Sequence, residues 1–264
     1  MGALSLGFTF VADRLPGATV YLPNPIVKSQ ERVLIRSRVK NYTTYPYYDP
    51  KNKCLTVSDT LDFLMKVKDR SVVVLDAGSH NPTGLSMTSS EWDSMIQVFK
   101  KKEHLPLFSL MYQGLTTGDI NNDAQVIRRF AKEGFQMIVA QSFSTNMGLY
   151  GERVGATHIV CSDALTAEKA ISQIKIQTRR FYSAAPLHGA RIFNRVVQEQ
   201  SYFDMWQDET FDMHKRMKDI RKTLRELLVD SKTPGNWDHL LRQTGPHCDL
   251  GLTGTEFILE AIIF

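Results

Sequence analysis

Apolar residues along the chain fall into two alternating rhythms. Short runs rich in β-branched and aromatic residues predict strands at Thr19–Pro23, Tyr42–Tyr47, Ser71–Asp76, Leu105–Leu110, Gln136–Gln141 and Ala156–Cys161. Longer stretches with helical periodicity predict helices near Gln30–Arg38, Ser58–Val67, Ser89–Lys101 and Asn122–Glu133. Strand and helix in alternation build a mostly parallel sheet covered by helices, the α/β class. After Cys161 the strand signal stops. Helices are predicted at Ala167–Thr178, Leu187–Glu199 and Phe203–Val229, and in the last of these Met213, Met217, Ile220, Leu224 and Leu227 recur at steps of four and three. Such a stripe is expected to pack into a core. Pro234-Gly235 then breaks the helix, and the final thirty or so residues read as the start of another unit. No internal repeat or low-complexity segment interrupts this order.

Composition narrows the class without naming it. The 264 residues are 42% hydrophobic and 23% charged, the make-up of a globular protein. Lys and Arg number 32 against 28 Asp and Glu, and the basic runs, Lys100 to Lys102 and Arg179-Arg180, sit at predicted helix ends rather than along a stripe. Solvated helix faces explain them, and nucleic acid is not an expected partner. Cys54, Cys161 and Cys248 are three, widely spaced, and without ligand spacing, so neither a disulfide framework nor a metal site is expected. No apolar run approaches the roughly 20 residues that span a bilayer, and no leader pattern opens the chain. A cytoplasmic location is expected, or a mitochondrial one if a transit segment preceded Met1.

Taken alone, His80-Asn81-Pro82-Thr83-Gly84 after a strand is a turn signal. Three further segments make it specific: Tyr112-Gln113-Gly114-Leu115-Thr116-Thr117-Gly118-Asp119, then Ser142-Phe143-Ser144-Thr145-Asn146-Met147-Gly148-Leu149-Tyr150-Gly151-Glu152-Arg153-Val154-Gly155, then Leu187-His188-Gly189-Ala190-Arg191. In this order and spacing they resemble the aspartate aminotransferases, enzymes of fold type I that use pyridoxal phosphate, and the similarity runs over nearly the whole chain. The resemblance implies a large domain with a mixed, mostly parallel sheet carrying helices on both faces, here residues 1–212. It implies the beginning of a smaller domain in residues 213–264, and a homodimer with shared active sites. It also implies that a Ser-Gly-Thr phosphate loop falls before Gly2, and that an arginine clamping the substrate α-carboxylate falls after Phe264.

The resemblance assigns roles residue by residue, and several are altered. The lysine that carries the cofactor covalently and moves the proton corresponds to Thr145, whose hydroxyl can form no imine and is a far weaker base than an amine. The aspartate that keeps the pyridine nitrogen protonated corresponds to Ser109, and the two histidines that support it correspond to Gln30 and Asp76. Asp76 offers a carboxylate nearby, although the resemblance does not make it the replacement. The ring that stacks on the cofactor corresponds to Val27, and an asparagine of the family to Ala184. Other positions are kept. Asn81 and Tyr112 correspond to the donors to the ring hydroxyl, Ser142 and Arg153 to the phosphate ligands, and Arg179 to the arginine that reaches across the dimer to the substrate's distal carboxylate. Two readings of the kept set stand at this point: inherited fold contacts, with Asn81 fixing its turn and Arg153 pairing locally, or a working phosphate site. The expected protein is therefore an aspartate aminotransferase homologue, with L-aspartate and 2-oxoglutarate as the family substrates and pyridoxal phosphate as the family cofactor, that forms no covalent link to the cofactor and is inactive. The alternatives are a non-catalytic partner of an intact aminotransferase, an enzyme using a relocated amine such as Lys28, or a shortened product without a role.

Overall fold

The computed structural model describes residues 1–252. Six strands form one sheet: β1 (Val20–Asn24), β2 (Tyr42–Pro46), β5 (Val72–Asp76), β6 (Leu105–Leu110), β7 (Met137–Ser142) and β8 (Gly155–Val160), in the spatial order β2-β1-β5-β6-β7-β8. All neighbours run parallel except β8, which is antiparallel to β7. A hairpin of β3 (Tyr48–Asp49) and β4 (Cys54–Leu55) stands apart from this sheet.

Both faces are covered, which is why the central strands are nearly continuous apolar runs. On one face Val72, Val74, Leu107, Ile138 and Ala140 pack against Leu4, Phe8 and Val11 of helix α1 (Gly2–Arg14) and Leu34 of α2 (Lys28–Arg36). The approach of α1 is close. A Cβ built on Gly7 would stand 3.2 Å from the Ile138 side chain. On the other face Val73, Leu75, Phe108 and Val139 meet α3 (Val57–Lys66), α4 (Ser89–Lys102) and, beyond the short α5 (Ile120–Asp123), α6 (Gln125–Lys132) through Leu64, Trp92, Met95, Phe99 and Phe130. The rings of Phe99, Phe108 and Phe130 meet edge to face, an arrangement favoured by the aromatic quadrupole. Helix α4 starts on a capping box, with Thr88 N–H donating to Glu91 Oε2 at 2.6 Å and Glu91 N–H returning to Thr88 Oγ1.

The six predicted strands lie within a residue or so of the observed ones, and the sheet is the expected mixed, mostly parallel one with helices on both faces. Three readings need correction. Helix α1 has no predicted counterpart, because its apolar residues leave little polar contrast around the helix. The single helix expected at Asn122–Glu133 is two, α5 and α6, hinged at Ala124. The stripe on the last helix, α9 (Gln200–Asp230), is not core: Met213, Ile220 and Leu227 are 36%, 53% and 58% exposed, and only Met217 and Leu224 are half-buried. The face turned inward instead carries Thr210, His214, Met217 and Arg221. Three of these are polar and engage backbone carbonyls: Thr210 donates to Trp206 O, His214 Nδ1 lies 3.2 Å from Leu115 O, and Arg221 reaches Gly245 O and His247 O. Hydrophobic periodicity cannot register an inward face built on such bonds. Helices α7 (Ala164–Tyr182) and α8 (His188–Gln198) precede α9, and a short 3-10 helix (Asp238–Arg242) follows it. The boundary expected between residues 212 and 213 falls inside α9.

Candidate active site

In a parallel sheet, the strand ends at the carboxyl edge are where loops open and ligands gather. Three polar residues end the central strands there: Asp76 on β5, Ser109 on β6 and Ser142 on β7. Asp76 and Ser109 are register partners, so their side chains lie side by side on adjacent strands. Both alternate with Val74 and Leu107, which places them on the α1 face. The first turn of α1 reaches the same edge, where Thr157 Oγ1 of β8 donates to Ala3 O at 3.2 Å.

The Asp76 side chain is only 5% exposed, and burial pushes its carboxyl up to about 7, moderated by the Ser109 hydroxyl beside it. His80 Nε2 stands 3.8 Å from Asp76 Oδ2, beyond hydrogen-bonding reach. Burial first, and His247 second, press His80 down to about 3, so it is neutral; Nδ1 is 2.9 Å from Thr83 Oγ1. Neither His80 Nε2 nor Ser109 Oγ has a hydrogen-bond partner. Buried polar atoms without partners are rare, and these two flank one carboxylate.

Next to this trio lies a chain of donors and acceptors. Asn81 Nδ2 donates to Tyr112 Oη at 3.1 Å, and Tyr112 Oη is 2.7 Å from His247 Nε2. The phenol oxygen accepts from Asn81 and also pairs with His247 Nε2, and burial first and Arg221 second lower the His247 pKa. Burial raises the Tyr112 hydroxyl to about 12. The loop carrying Tyr112 is held by Asp123, whose carboxylate accepts from the N–H groups of Gly114, Thr116 and Thr117 and from Thr117 Oγ1. The segment carrying His247 is tied to the Asn81 loop: Thr244 N–H donates to Gly84 O at 2.6 Å, and Ser79 Oγ to Thr244 O at 2.7 Å. Gly84 has φ +68°, and a Cβ there would meet the His247 carbonyl oxygen at 2.7 Å, so only glycine fits.

Thr145 lies half-buried in the turn after β7. Its neighbour Asn146 fixes that turn, donating through Nδ2 to Gln113 O at 3.1 Å and accepting from Trp206 Nε1 at 2.7 Å. Ser142 Oγ accepts from Ser144 N–H. Arg153 is exposed with φ +52° and donates to Tyr150 O; it stands near enough to the start of α1 to join burial in lowering the Met1 amine. Arg179, on α7, is exposed and its side chain makes no hydrogen bond or ion pair among the described residues. Val27 caps the start of α2, Lys28 and Ala184 are exposed, and Gln30 is buried. Sequence reasoning named Asp76, Ser109 and Ser142, which lie at or next to the ends of the central strands, but not His247, Asp123 or Arg221, whose parts depend on packing between distant segments.

A cavity of about 880 Å³ lies at the opposite edge of the sheet, where Leu105, Met137 and Ile159 meet Arg14, Arg70 and Lys169, and none of the strand-end residues lines it. Among the described residues no cluster could hold a metal ion, and no helix is long and apolar enough to cross a membrane.

Residues 1–256 match the family model described as aminotransferase class I and II. The chain is 38% identical over 253 residues to the cytoplasmic aspartate aminotransferase of Dictyostelium discoideum, covering 96% of this chain and 58% of that protein. It is 37% identical to the mitochondrial aspartate aminotransferase of Schizosaccharomyces pombe, covering 95% and 57%. The chain therefore spans somewhat less than three fifths of the length of these relatives. The crystal structure of aspartate aminotransferase from Trypanosoma cruzi superposes with a TM-score of 0.94 at 36% identity, over 98% of this chain and 67% of that one. The aromatic-amino-acid aminotransferase of Burkholderia pseudomallei, covalently bound to pyridoxal phosphate, gives 0.92 at 30% identity, over 96% and 63%.

Proposed function

The chain belongs to the class I and II aminotransferase family, and from that membership we propose that it is an aspartate aminotransferase homologue that holds pyridoxal phosphate non-covalently and does not transaminate. The reading rests on the resemblance, by which Thr145 corresponds to the lysine of the aspartate aminotransferases. The residues present fit the cofactor: a buried carboxyl at Asp76 beside an unpartnered His80 Nε2, polar side chains of Asn81 and Tyr112 brought together at 3.1 Å, and the Arg153 guanidinium at the same sheet edge as Ser142. When bound, pyridoxal phosphate supplies the electron sink for bond breaking at an amino acid's Cα. Asn81 and Tyr112 would hold the ring hydroxyl, and Ser142 and Arg153 the phosphate. Thr145 offers neither an amine for a covalent link nor a base of useful strength for the Cα proton.

In this reading residues 1–212 are the cofactor-binding part and 213–264 the start of a smaller domain. Amino acid and oxo-acid substrates, aspartate and 2-oxoglutarate first, follow the relatives, with Arg179 facing a substrate carboxylate across a dimer. The compartment also follows relatives named as cytoplasmic or mitochondrial, the cytoplasm first. A second reading, a non-catalytic partner of an intact aminotransferase, is favoured by the exposed apolar residues of α7, Leu165, Ile171, Ile176 and Phe181.

The test is to add pyridoxal phosphate to the full chain, reduce with borohydride and map lysine adducts by mass spectrometry. Retention without any adduct is expected from the parent, and an adduct at the new lysine from Thr145→Lys. An adduct on Lys28 in the parent would overturn the non-covalent reading.

A further inference from the structure

A pyridine ring acts as an electron sink only while its nitrogen is protonated, and a protonated nitrogen buried in protein needs a negative partner. Ser109 cannot supply one. The strand-end cluster nevertheless contains a carboxylate, Asp76, beside Ser109 on the neighbouring strand. Three observations single it out. Its side chain is only 5% exposed, yet His80 Nε2 stands 3.8 Å away, beyond hydrogen-bonding reach. Of the two polar groups flanking it, only the Ser109 hydroxyl lies close enough to ease the carboxyl, and His80 Nε2 has no hydrogen-bond partner. It lies on the sheet face that also ends in Ser142 and meets the start of α1. A buried acid so poorly provided with donors is a site shaped for a donor that arrives with a ligand.

We propose that Asp76 is the carboxylate that receives the ring nitrogen of a pyridine-type cofactor in this chain, the anion having moved one strand across the sheet from the Ser109 position. This rests on the reading that pyridoxal phosphate binds here. Asp76 would accept from the protonated ring nitrogen, with neutral His80 3.8 Å from its Oδ2 and the Ser109 hydroxyl beside it. His80 is itself held in place, with Nδ1 2.9 Å from Thr83 Oγ1 and its ring 4.5 Å from that of Tyr47. Asp76 is thus a cofactor-positioning residue whose charge, rather than whose shape, matters.

The experiment uses the full chain with pyridoxal phosphate labelled with ¹⁵N in the ring, and reads two quantities: the dissociation constant and the ¹⁵N chemical shift, which separates pyridinium from pyridine. Parent protein is expected to show pyridinium. Asp76→Asn, which keeps shape and removes charge, is expected to show pyridine and to bind about tenfold more weakly, the loss of one charge-assisted hydrogen bond. Asp76→Asn with Ser109→Asp is expected to recover pyridinium, because the anion is returned to the adjacent strand; circular dichroism of each variant confirms that the sheet is intact. An unchanged pyridinium signal in Asp76→Asn overturns the assignment to Asp76 while leaving cofactor binding in place. No binding of the labelled compound to the parent removes both readings.

Discussion

The sheet region, residues up to about 160, and the helical region formed by α7, α8 and α9 solve the burial problem in opposite ways. In the first, strand interiors such as Val72, Val73, Val74 and Leu75 are almost wholly removed from water, and two clusters close over both sheet faces. In the second, the 19 residues of α7 bury only Ala170 and Gln177, the 11 of α8 only Gly189, and the 31 of α9 only Thr210 and Arg221. Large apolar side chains on these helices, Leu165, Ile171, Met205 and Phe211 among them, face outward. One region therefore holds itself together by apolar area. The other is attached at a few points, mostly polar: Gln177 to Asp13, Trp206 to Asn146, His214 to Leu115 and Arg221 to the segment at Gly245, with the Phe143–Phe193 ring stack at 4.0 Å as an apolar one. The site inherits this division: Asp76, Ser109, Asn81, Tyr112, Ser142 and Thr145 stand on the rigid region, and His247 comes to them from beyond the helical one.

The sharpest way to break the comparison is a matched pair of truncations. Phe130 is fully buried among Phe99, Phe108 and Phe135, whereas Phe211 on α9 is half exposed. Phe130→Ala is expected to cost about 3–5 kcal/mol of unfolding free energy in urea titration, and Phe211→Ala no more than about 0.5 kcal/mol. Equal losses would mean that the helical region is as tightly packed as the sheet.

A smaller effect comes from the buried titratable groups, which cluster in the sheet region. Asp76 titrates at about 7 in the folded chain, above its ordinary range near 4. The folded state thus binds more protons than the unfolded one between about pH 4 and 7, and stability from this group is complete below that window and lost as pH rises through it. His80, lowered to about 3, acts in the opposite sense: its burial favours the folded state above its ordinary value and penalises it as pH falls. Because the two slopes oppose, the parent's curve hides them. The stability difference between parent and Asp76→Asn isolates one, and is expected to turn against the parent by up to about 1.4 kcal/mol per pH unit between pH 4 and 7. A difference flat across that range would place the carboxylate in contact with solvent.

Legibility in the sequence follows the same division. The central strands could be read because a strand buried on both faces is an unbroken apolar run between turn residues, as in Ser71–Asp76 and Leu105–Leu110. The site could be read as far as short motifs reach: Asn81 and Tyr112 were named from separate segments, and a hydrogen bond joins them. His247 could not. It follows Pro246 in an irregular stretch with no local signal, and its place against Tyr112 is set by Arg221 and Thr244 acting across the fold. Asp76 was visible as a residue but not as an under-bonded acid, since that property belongs to its neighbours. On α9 the pattern was present and misleading, because the attachment there is polar.

The smallest expected effect tests that last point directly. Hydrophobic periodicity puts Met213, Met217, Ile220, Leu224 and Leu227 on one stripe, but the structure turns the helix so that Met217 and Leu224 are half-buried while the other three face solvent. If the stripe were core, replacing any member by a polar residue would cost a few kcal/mol through lost apolar burial. With the inward face supplied by Thr210, His214 and Arg221, the outer members have little burial to lose. Ile220→Gln and Leu227→Gln are each expected to change the stability of the isolated chain by less than about 0.5 kcal/mol, while Met217→Gln costs more because its side chain is partly enclosed. The same two outward substitutions are expected to reduce any concentration-dependent association, since an exposed apolar row on a helix is a surface that seeks cover. Urea titration at low protein concentration measures the first quantity and sedimentation at several concentrations the second. A large stability loss from Ile220→Gln in a chain that sediments as a monomer would show that α9 packs by its apolar stripe after all, and that the polar attachments are secondary.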